Sequence, residues 1–314
     1  MKYVTVAASK TDQWLGGMAG DRLDRLTCVV ATAATAAVSV KDGSGAAISV
    51  FPNSPGGGVG TYNIEFGAVS KSGPWRVTTG AGVSVIAAGD FTPKLQNASY
   101  LSLAGAAGDY LSSPDSASNS VTGDLRIEAK IAATDWTPAT IGRAILAKRS
   151  AVGQYAYQFS IAVTTGLLNF SWTADGSTVI SKSSTVAPTV TDGAALWVAV
   201  THDVDNGAVG NDVKFYTSTN GTDWTQLGDT VTTAATTSHQ DSTAGLEIGT
   251  TLAGTDLTFA GKIYHVKLYS TLDTTTLVAQ FDPTNSLPTD TTAAGPTTLE
   301  TWTLNGNAAF VATE

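Results

Sequence analysis

The sequence predicts an all-β protein made of a small N-terminal β-sandwich or barrel followed by a larger antiparallel sandwich of two packed sheets. Three observations predict it. Charged residues make up only 14% of the 314 residues, and Ala, Gly, Ser, Thr and Val fill long tracts suited to strands and tight turns. Long amphipathic helical patterns are nearly absent. Short runs with an apolar residue at every second position recur along the chain, separated by Gly, Asn, Asp and Pro. A chain of this length exceeds one typical domain and has residues enough for two cores.

The first unit is expected over residues 1–92. Its strands read KYVTVA, RLTCVVAT, AAVSVKDG, AAISVF, TYNIEFGAV, PWRVTTG and VSVIAAG, at the spacing of a small sandwich or barrel. Cys28 is the only cysteine, so no internal disulfide is possible, and no histidine lies in this region to activate the thiol. In the apolar run LTCVVAT it reads as a buried structural residue. The loop PNSPGGGVG, residues 52–60, is rich in glycine but lacks the lysine and the following helix of a phosphate-binding loop. It reads as an exposed excursion. Residues 93–96, within DFTPKLQNASY, form the expected connector, because the texture then changes to longer strands with more Trp and Tyr.

The second unit, residues 97–314, reads as SYLSLAG, GDYLSSP, DLRIEAKIA, RAILAKRS, YAYQFSIAV, LLNFSWTA, VISKSST, LWVAVTHDV, DVKFYTST, DWTQLGD, GLEIGTTL, GKIYHVKLYS and ETWTLNG. So many strands exceed one open sheet and favour two packed sheets. Asn220-Gly221 is expected at the centre of a two-residue hairpin that sets Trp224 across from Thr217. Asp175-Gly176 is expected in a second hairpin, making the sheet antiparallel there.

The order YLSSPDSA, GDLRIEAKIA, ILAKRS, YQFSI, LLNFSW, LWVAVTHDVDNG, VKFYTSTNGTDW, EIG and FAGKIYHVKLY, closing with TWTLNG, resembles the concanavalin A-like jelly roll in its laminin-G-like form. In particular it resembles versions carried on bacteriophage virion proteins, and the first ninety or so residues look similar to small β modules of such particles. The resemblance implies that the first and last strands pair, setting SYLSLAG beside ETWTLNG. It also implies a structural role on the capsid surface of a tailed phage, as a decoration protein or head fibre made in the host cytoplasm. The partners implied are the major capsid protein or another virion protein, with homo-oligomerisation. A tail-fibre or surface protein that binds host polysaccharide is the alternative, and a glycoside hydrolase the third reading.

The net charge of −9 and sequence pI near 4.7 argue against nucleic acid, whose phosphates need clustered Lys and Arg. The opening residues carry no apolar run of the length expected for a secretory signal or a membrane span.

Catalysis has few candidates. In GDLRIEAKI, Leu125, Ile127, Ala129 and Ile131 share the core face of a strand, and Arg126, Glu128 and Lys130 share the other. Glucanases of this architecture use an E-x-D-x-E strand with carboxyls roughly 5 to 5.5 Å apart. Here two cations flank Glu128 and favour its charged form, whereas a general acid must hold its proton. The strand therefore reads as scaffold, Asp135 as a turn cap, and no catalytic residue is assigned. No Gly-x-Ser-x-Gly elbow occurs.

No cofactor is expected. Asp203, Asp205 and Asp212, with Asn206, offer calcium-type oxygens in THDVDNGAVGND, but the spacing departs from the helix-loop-helix calcium pattern and suits a solvated hairpin loop. The three histidines lie apart from one another in sequence. His202 suits a strand-end hydrogen bond, and alternation puts His265 on a sheet face with Ile263 and Lys267. Among the tryptophans, Trp172 and Trp197 read as core, while Trp14, Trp136 and Trp224 lie near loops. Trp136 and Trp224 are the candidates for glycan contact.

Overall fold

Alternation builds almost every element of the computed structural model, which describes all residues except 12, 18, 33–36, 52–57, 93–98, 299 and 313–314. Most of the glycine-rich loop and all of the connector 93–96 therefore lie outside the described residues. The chain divides into two units, Met1–Leu95 and Gln96–Glu314.

Among its described residues the smaller unit has eight strands: β1 (Lys2–Val6), β2 (Gln13–Trp14), β3 (Arg22–Val30), β4 (Val38–Asp42), β5 (Ile48–Phe51), β6 (Gly60–Val69), β7 (Trp75–Thr78) and β8 (Val83–Asp90). They form two four-stranded sheets, β1-β8-β3-β6 and β2-β7-β4-β5. Both sheets send apolar side chains into one core: Leu23, Leu26, Cys28, Val83 and Val85 from the first, Val38, Val40, Trp75 and Val77 from the second. A register shift between Leu23 and Arg25 is what lets Leu23 and Leu26, three positions apart, both point inward. Cys28 is fully buried, and burial pushes its thiol up to about 11.

The larger unit continues with β9 (Tyr100–Ala104), β10 (Tyr110–Ser113), β11 (Leu125–Ala133), β12 (Arg143–Arg149), β13 (Tyr155–Ile161), β14 (Leu168–Trp172), β15 (Ile180–Ser183), β16 (Leu196–Asp203) and β17 (Gly210–Ser218). It closes with β18 (Thr225–Gln226), β19 (Val231–Ala234), β20 (Leu246–Ile248), β21 (Ala260–Tyr269), β22 (Leu277–Phe281), β23 (Thr292–Ala294), β24 (Thr301–Asn305) and β25 (Ala309–Val311). The one helical element among the described residues is a 3-10 turn at Pro283–Asn285. An eight-stranded antiparallel sheet runs β15-β14-β13-β12-β20-β10-β24-β23. A nine-stranded one runs β18-β17-β16-β11-β21-β9-β25, with β19 also on β17 and β22 also on β21.

The inward faces of the two sheets share a core in which Trp172, Trp302, Tyr157, Phe159, Phe170, Phe215, Phe259, Phe281 and Phe310 are almost wholly buried. Each such ring contributes about 1.5–3 kcal/mol by leaving water. The larger unit is thus a sandwich of two antiparallel sheets, as its strand count predicts, and a jelly roll, as the resemblance implies.

Three local expectations are corrected. The first strand of this unit, β9, does pair with the last, but that last strand is β25, with Leu101 opposite Phe310. ETWTLNG is β24 and pairs with β10 and β23 in the other sheet. The chain changes sheets at Asn305–Ala308, where Gly306 takes φ +63° and Asp109 Oδ1 accepts from the Asn307 amide at 2.7 Å. Likewise, Thr217 pairs with Thr225, so Trp224 lies in the loop and not across the ladder. Ser218 Oγ takes the Gly221 amide and Asn220 Oδ1 takes those of Thr222 and Asp223, each at 2.9 Å. These side-chain caps satisfy a wider turn than Asn-Gly alone would make. The Asp175-Gly176 hairpin is also wider, since Trp172 pairs with Ile180.

Candidate functional site

The outward face of the nine-stranded sheet collects aromatic rings and cations. In β11 the residues Leu125, Ile127, Ala129 and Ile131 are all fully buried in the core, which turns Arg126, Glu128 and Lys130 outward. Register then decides their neighbours. Lys130 is opposite Trp197 on β16 and His265 on β21, Glu128 is opposite Lys267, and Arg126 is opposite Tyr269. Trp197 and Ala199 are in turn opposite Ser218 and Tyr216 on β17.

A bulge adds one more ring. Lys130 pairs with His265 and Ile131 with Ile263, so Tyr264 is the extra residue of β21. Ile263 is consequently in the core while His265 and Lys267 face outward, which corrects the grouping of Ile263 with His265. Tyr264 packs on Tyr100 at 5.7 Å and under the Lys130 ammonium at 5.0 Å, and Lys262 lies 4.7 Å over the Tyr100 ring. The bulge thereby puts Tyr264 and His265 on one side of the strand.

At the centre of the face the Trp197 ring stacks on His265 at 5.5 Å with 6° between planes, and Trp224 meets Trp197 edge-on at 6.2 Å. Trp197, Trp224, Tyr216, Tyr264 and Tyr100 are all half-buried, each with part of its surface open. His265 Nδ1 is 3.5 Å from Asp282 Oδ2. Burial raises the Asp282 carboxyl, and the hydrogen bonds from His265 and Thr284 outweigh it and hold it at about 2.

Arg126 is held between two rings, its guanidinium 5.2 Å from the Tyr216 centroid and 5.0 Å from that of Trp224. Its Nε donates to Glu128 Oε1 at 2.7 Å, and the Tyr269 hydroxyl donates to Glu128 Oε2 at 3.4 Å. Burial, then the Glu128 charge, pushes the Tyr269 phenol up to about 12. Glu128 is therefore a buried carboxylate engaged by both Arg126 and Tyr269.

The structure corrects two tryptophans. Trp136 is 4% exposed and belongs to the core, so it cannot contact a glycan. Trp197, expected in the core, stands on the outward face, because the core positions of β16 are Val198 and Val200. Trp224 keeps its place as a surface ring, and Trp172 is core. In the smaller unit Trp14 is exposed, with Arg76 4.7 Å over its ring.

Asp203 and Asp212 are opposite each other on β16 and β17, but among the described residues no three His, Cys, Asp or Glu side chains group as a metal site. Asp212 Oδ1 accepts from Asn206 and Thr232, and Asp205 and Asp203 take amides of their own loop. Burial, then the nearby Asp124, raises the Asp203 carboxyl. Asp135 caps the Thr137 amide at 2.8 Å.

Two features have no local signal in the sequence. His202 Nδ1 and His239 Nε2 meet at 2.8 Å inside the unit, although 37 residues separate them. Glu247, 8% exposed, accepts the Ala253 amide through Oε1 while Oε2 is buried without a hydrogen bond.

No family model matches the chain, and no curated protein matches it. Among solved structures, it is similar to the CBM40 of Ruminococcus gnavus IT-sialidase bound to α2,3-sialyllactose, with 12% identity over 55% of this chain and 92% of that one, TM-score 0.38. Laminin α1 domains LG4-5 of mouse give 11% identity over 88% and 90%, TM-score 0.38. A heptameric SAP-like pentraxin of Limulus polyphemus gives 15% identity over 57% and 78%, TM-score 0.37. The fold class rests on the sheets themselves, and the site on its own geometry.

Proposed function

We propose that the chain is a non-enzymatic surface protein whose larger unit binds a saccharide on the outward face of its nine-stranded sheet. One observation carries this reading: Trp197, Trp224, Tyr216, Tyr264 and Tyr100 lie half-open on a single sheet face among hydrogen-bonding cations. Ring faces accept the C–H side of a pyranose while neighbouring charged groups bond its hydroxyls. A row of such rings on adjacent strands suits an extended glycan.

Trp224→Ala and Trp197→Ala are each expected to weaken retention on the glycan found by array screening about tenfold or more, as loss of a central aromatic anchor does at interfaces. Near-UV circular dichroism would check that the fold persists. A broad array with no binder at all would refute the reading.

The resemblance to virion modules supports the finer proposal that the smaller unit docks the chain on a phage particle, through the major capsid protein or another virion protein. Deleting residues 1–92 is expected to remove the protein from particles, and deleting residues 97–314 to leave the small unit bound. Electron microscopy of particles assembled with each truncation reads the outcome, and the opposite pattern would reverse the roles.

A further inference from the structure

The saccharide reading leaves open which chemical class of sugar the face selects, and Arg126 answers it. Arg126 is 7% exposed, so more than nine-tenths of it is buried, yet only Nε has a protein hydrogen-bond partner among the described residues. Its two terminal nitrogens carry four further N–H donors with no protein acceptor among the described residues. The terminal nitrogens keep the residue's small exposure, so their donors are open to solvent and to a ligand. Tyr216 and Trp224 hold the group between them, and Glu128 fixes it through Nε, so its orientation is set before any ligand arrives. A fixed fork of this kind fits an oxyanion through two parallel hydrogen bonds.

Cations outnumber acids on this face, where Glu128 pairs with Arg126 and Asp282 with His265. Arg126, Lys130, Lys214, Lys262 and Lys267 all face outward from this sheet, whereas after residue 96 the remaining cations are only Arg143, Lys148, Arg149 and Lys182. A chain of net charge −9 thus concentrates positive charge on its aromatic face. The acids Asp124, Asp203 and Asp212 border the Arg126 end of the face, each two positions from Arg126 or from its cross-strand neighbours Thr201 and Lys214.

We propose that Arg126, framed by Tyr216 and Trp224, is the anchor of an oxyanion subsite on this face, and that the saccharide held there is acidic, bearing carboxylate or sulfate groups. The proposal rests on the saccharide reading of the face. Rings bind the sugar body, the Arg126 fork binds one acidic group, and Lys130, Lys262 and Lys267 attract the next along the chain.

The test uses the full chain and three probes: polygalacturonate for carboxylate, dextran sulfate for sulfate, and dextran as the neutral control. Calorimetric titration is expected to show binding to at least one polyanion and none to dextran, and the two acidic arms tell which oxyanion is preferred. Arg126→Lys keeps the charge beside Glu128 but removes the fork, and should weaken the preferred polyanion about tenfold or more. Trp224→Leu, which leaves the Arg126–Glu128 pair intact, should do likewise if the lysine variant folds poorly. Lys71→Gln removes an exposed positive charge from the smaller unit and should change nothing. Polyanion binding indifferent to both site variants would overturn the subsite as mere charge attraction. Dextran held as tightly as the polyanions would overturn the acidic class while leaving a saccharide face. Failure of every saccharide, on the array and here, would instead overturn the reading beneath it.

Discussion

His202 and His239 are buried side by side, with Trp172 4.2 Å from the His202 ring. Burial lowers His202 to about 4, and burial followed by its neighbour lowers His239 well below the ordinary range. Above pH 6.5 the rings are neutral in the folded and unfolded chain alike. Between 6.5 and 4 the unfolded chain takes up protons that the folded one refuses, so stability falls with pH, by about 3 kcal/mol for His202. Glu247 acts in the opposite direction. Burial pushes it from 4.5 to about 7, so the unfolded chain ionises first and stability falls as pH rises through that window. The two groups oppose each other between pH 4.5 and 6.5. Glu247→Gln is therefore expected to be more stable than wild type above pH 7, to lose that advantage near pH 4.5, and to lose stability on acidification more steeply. Urea unfolding at pH 4 to 8 measures all three, and parallel pH profiles for the two proteins would sink the account. None of this was legible in the sequence, because the pairing of His202 with His239 and the burial of Glu247 are made by distant strands.

The strand β11 was legible because its alternation is complete, and the core position of Leu125, Ile127, Ala129 and Ile131 follows from it. The binding face was legible only in part. Parity assigned Arg126, Glu128 and Lys130 to the outward side, but the rings that cover them arrive by register from β16, β17 and β21, which no single segment encodes. The bulge at Tyr264 breaks parity inside GKIYHVKLY, and short Thr- and Ala-rich strands such as β19 and β23 lack the pattern that marks the others. The loop after β17 misled for a related reason: Asn220-Gly221 has the composition of a tight hairpin, while Ser218 and Asn220 side chains stabilise a wider one. Gly221 there takes φ +76°, and a Cβ on it would stand 2.6 Å from Trp197 Cε2. Gly221→Ala is thus expected to cost about 1–2 kcal/mol from the left-handed backbone, with steric displacement of Trp197 added. Tryptophan fluorescence should report the moved ring, and saccharide affinity should fall with it. Unchanged emission and unchanged affinity would show that the loop does not position Trp197.

At the scale of the molecule, two separate cores divide the labour. Residues of the smaller unit, from Val6 to Phe91, bury one another, and those of the larger, from Leu101 to Phe310, do the same, so each unit has its own source of stability. The larger unit also needs no strand from the smaller: both its sheets are assembled from β9 onward, and its first and last strands close on each other. Pairing β25 on β9 leaves the three-residue β25 as that edge of the sheet, and so short an edge offers little template for pairing with another chain. Every residue of the aromatic face, from Tyr100 to Asp282, likewise belongs to this unit. It follows that residues 96–314 expressed alone should unfold in one cooperative transition and bind the saccharide within about twofold of the full chain, since the core and the face are both built from this unit's own residues. Residues 1–95 alone should fold without binding saccharide. Scanning calorimetry and titration of the two fragments decide this. A larger fragment that is molten, or that folds but binds more than tenfold more weakly, would mean that the smaller unit completes the site.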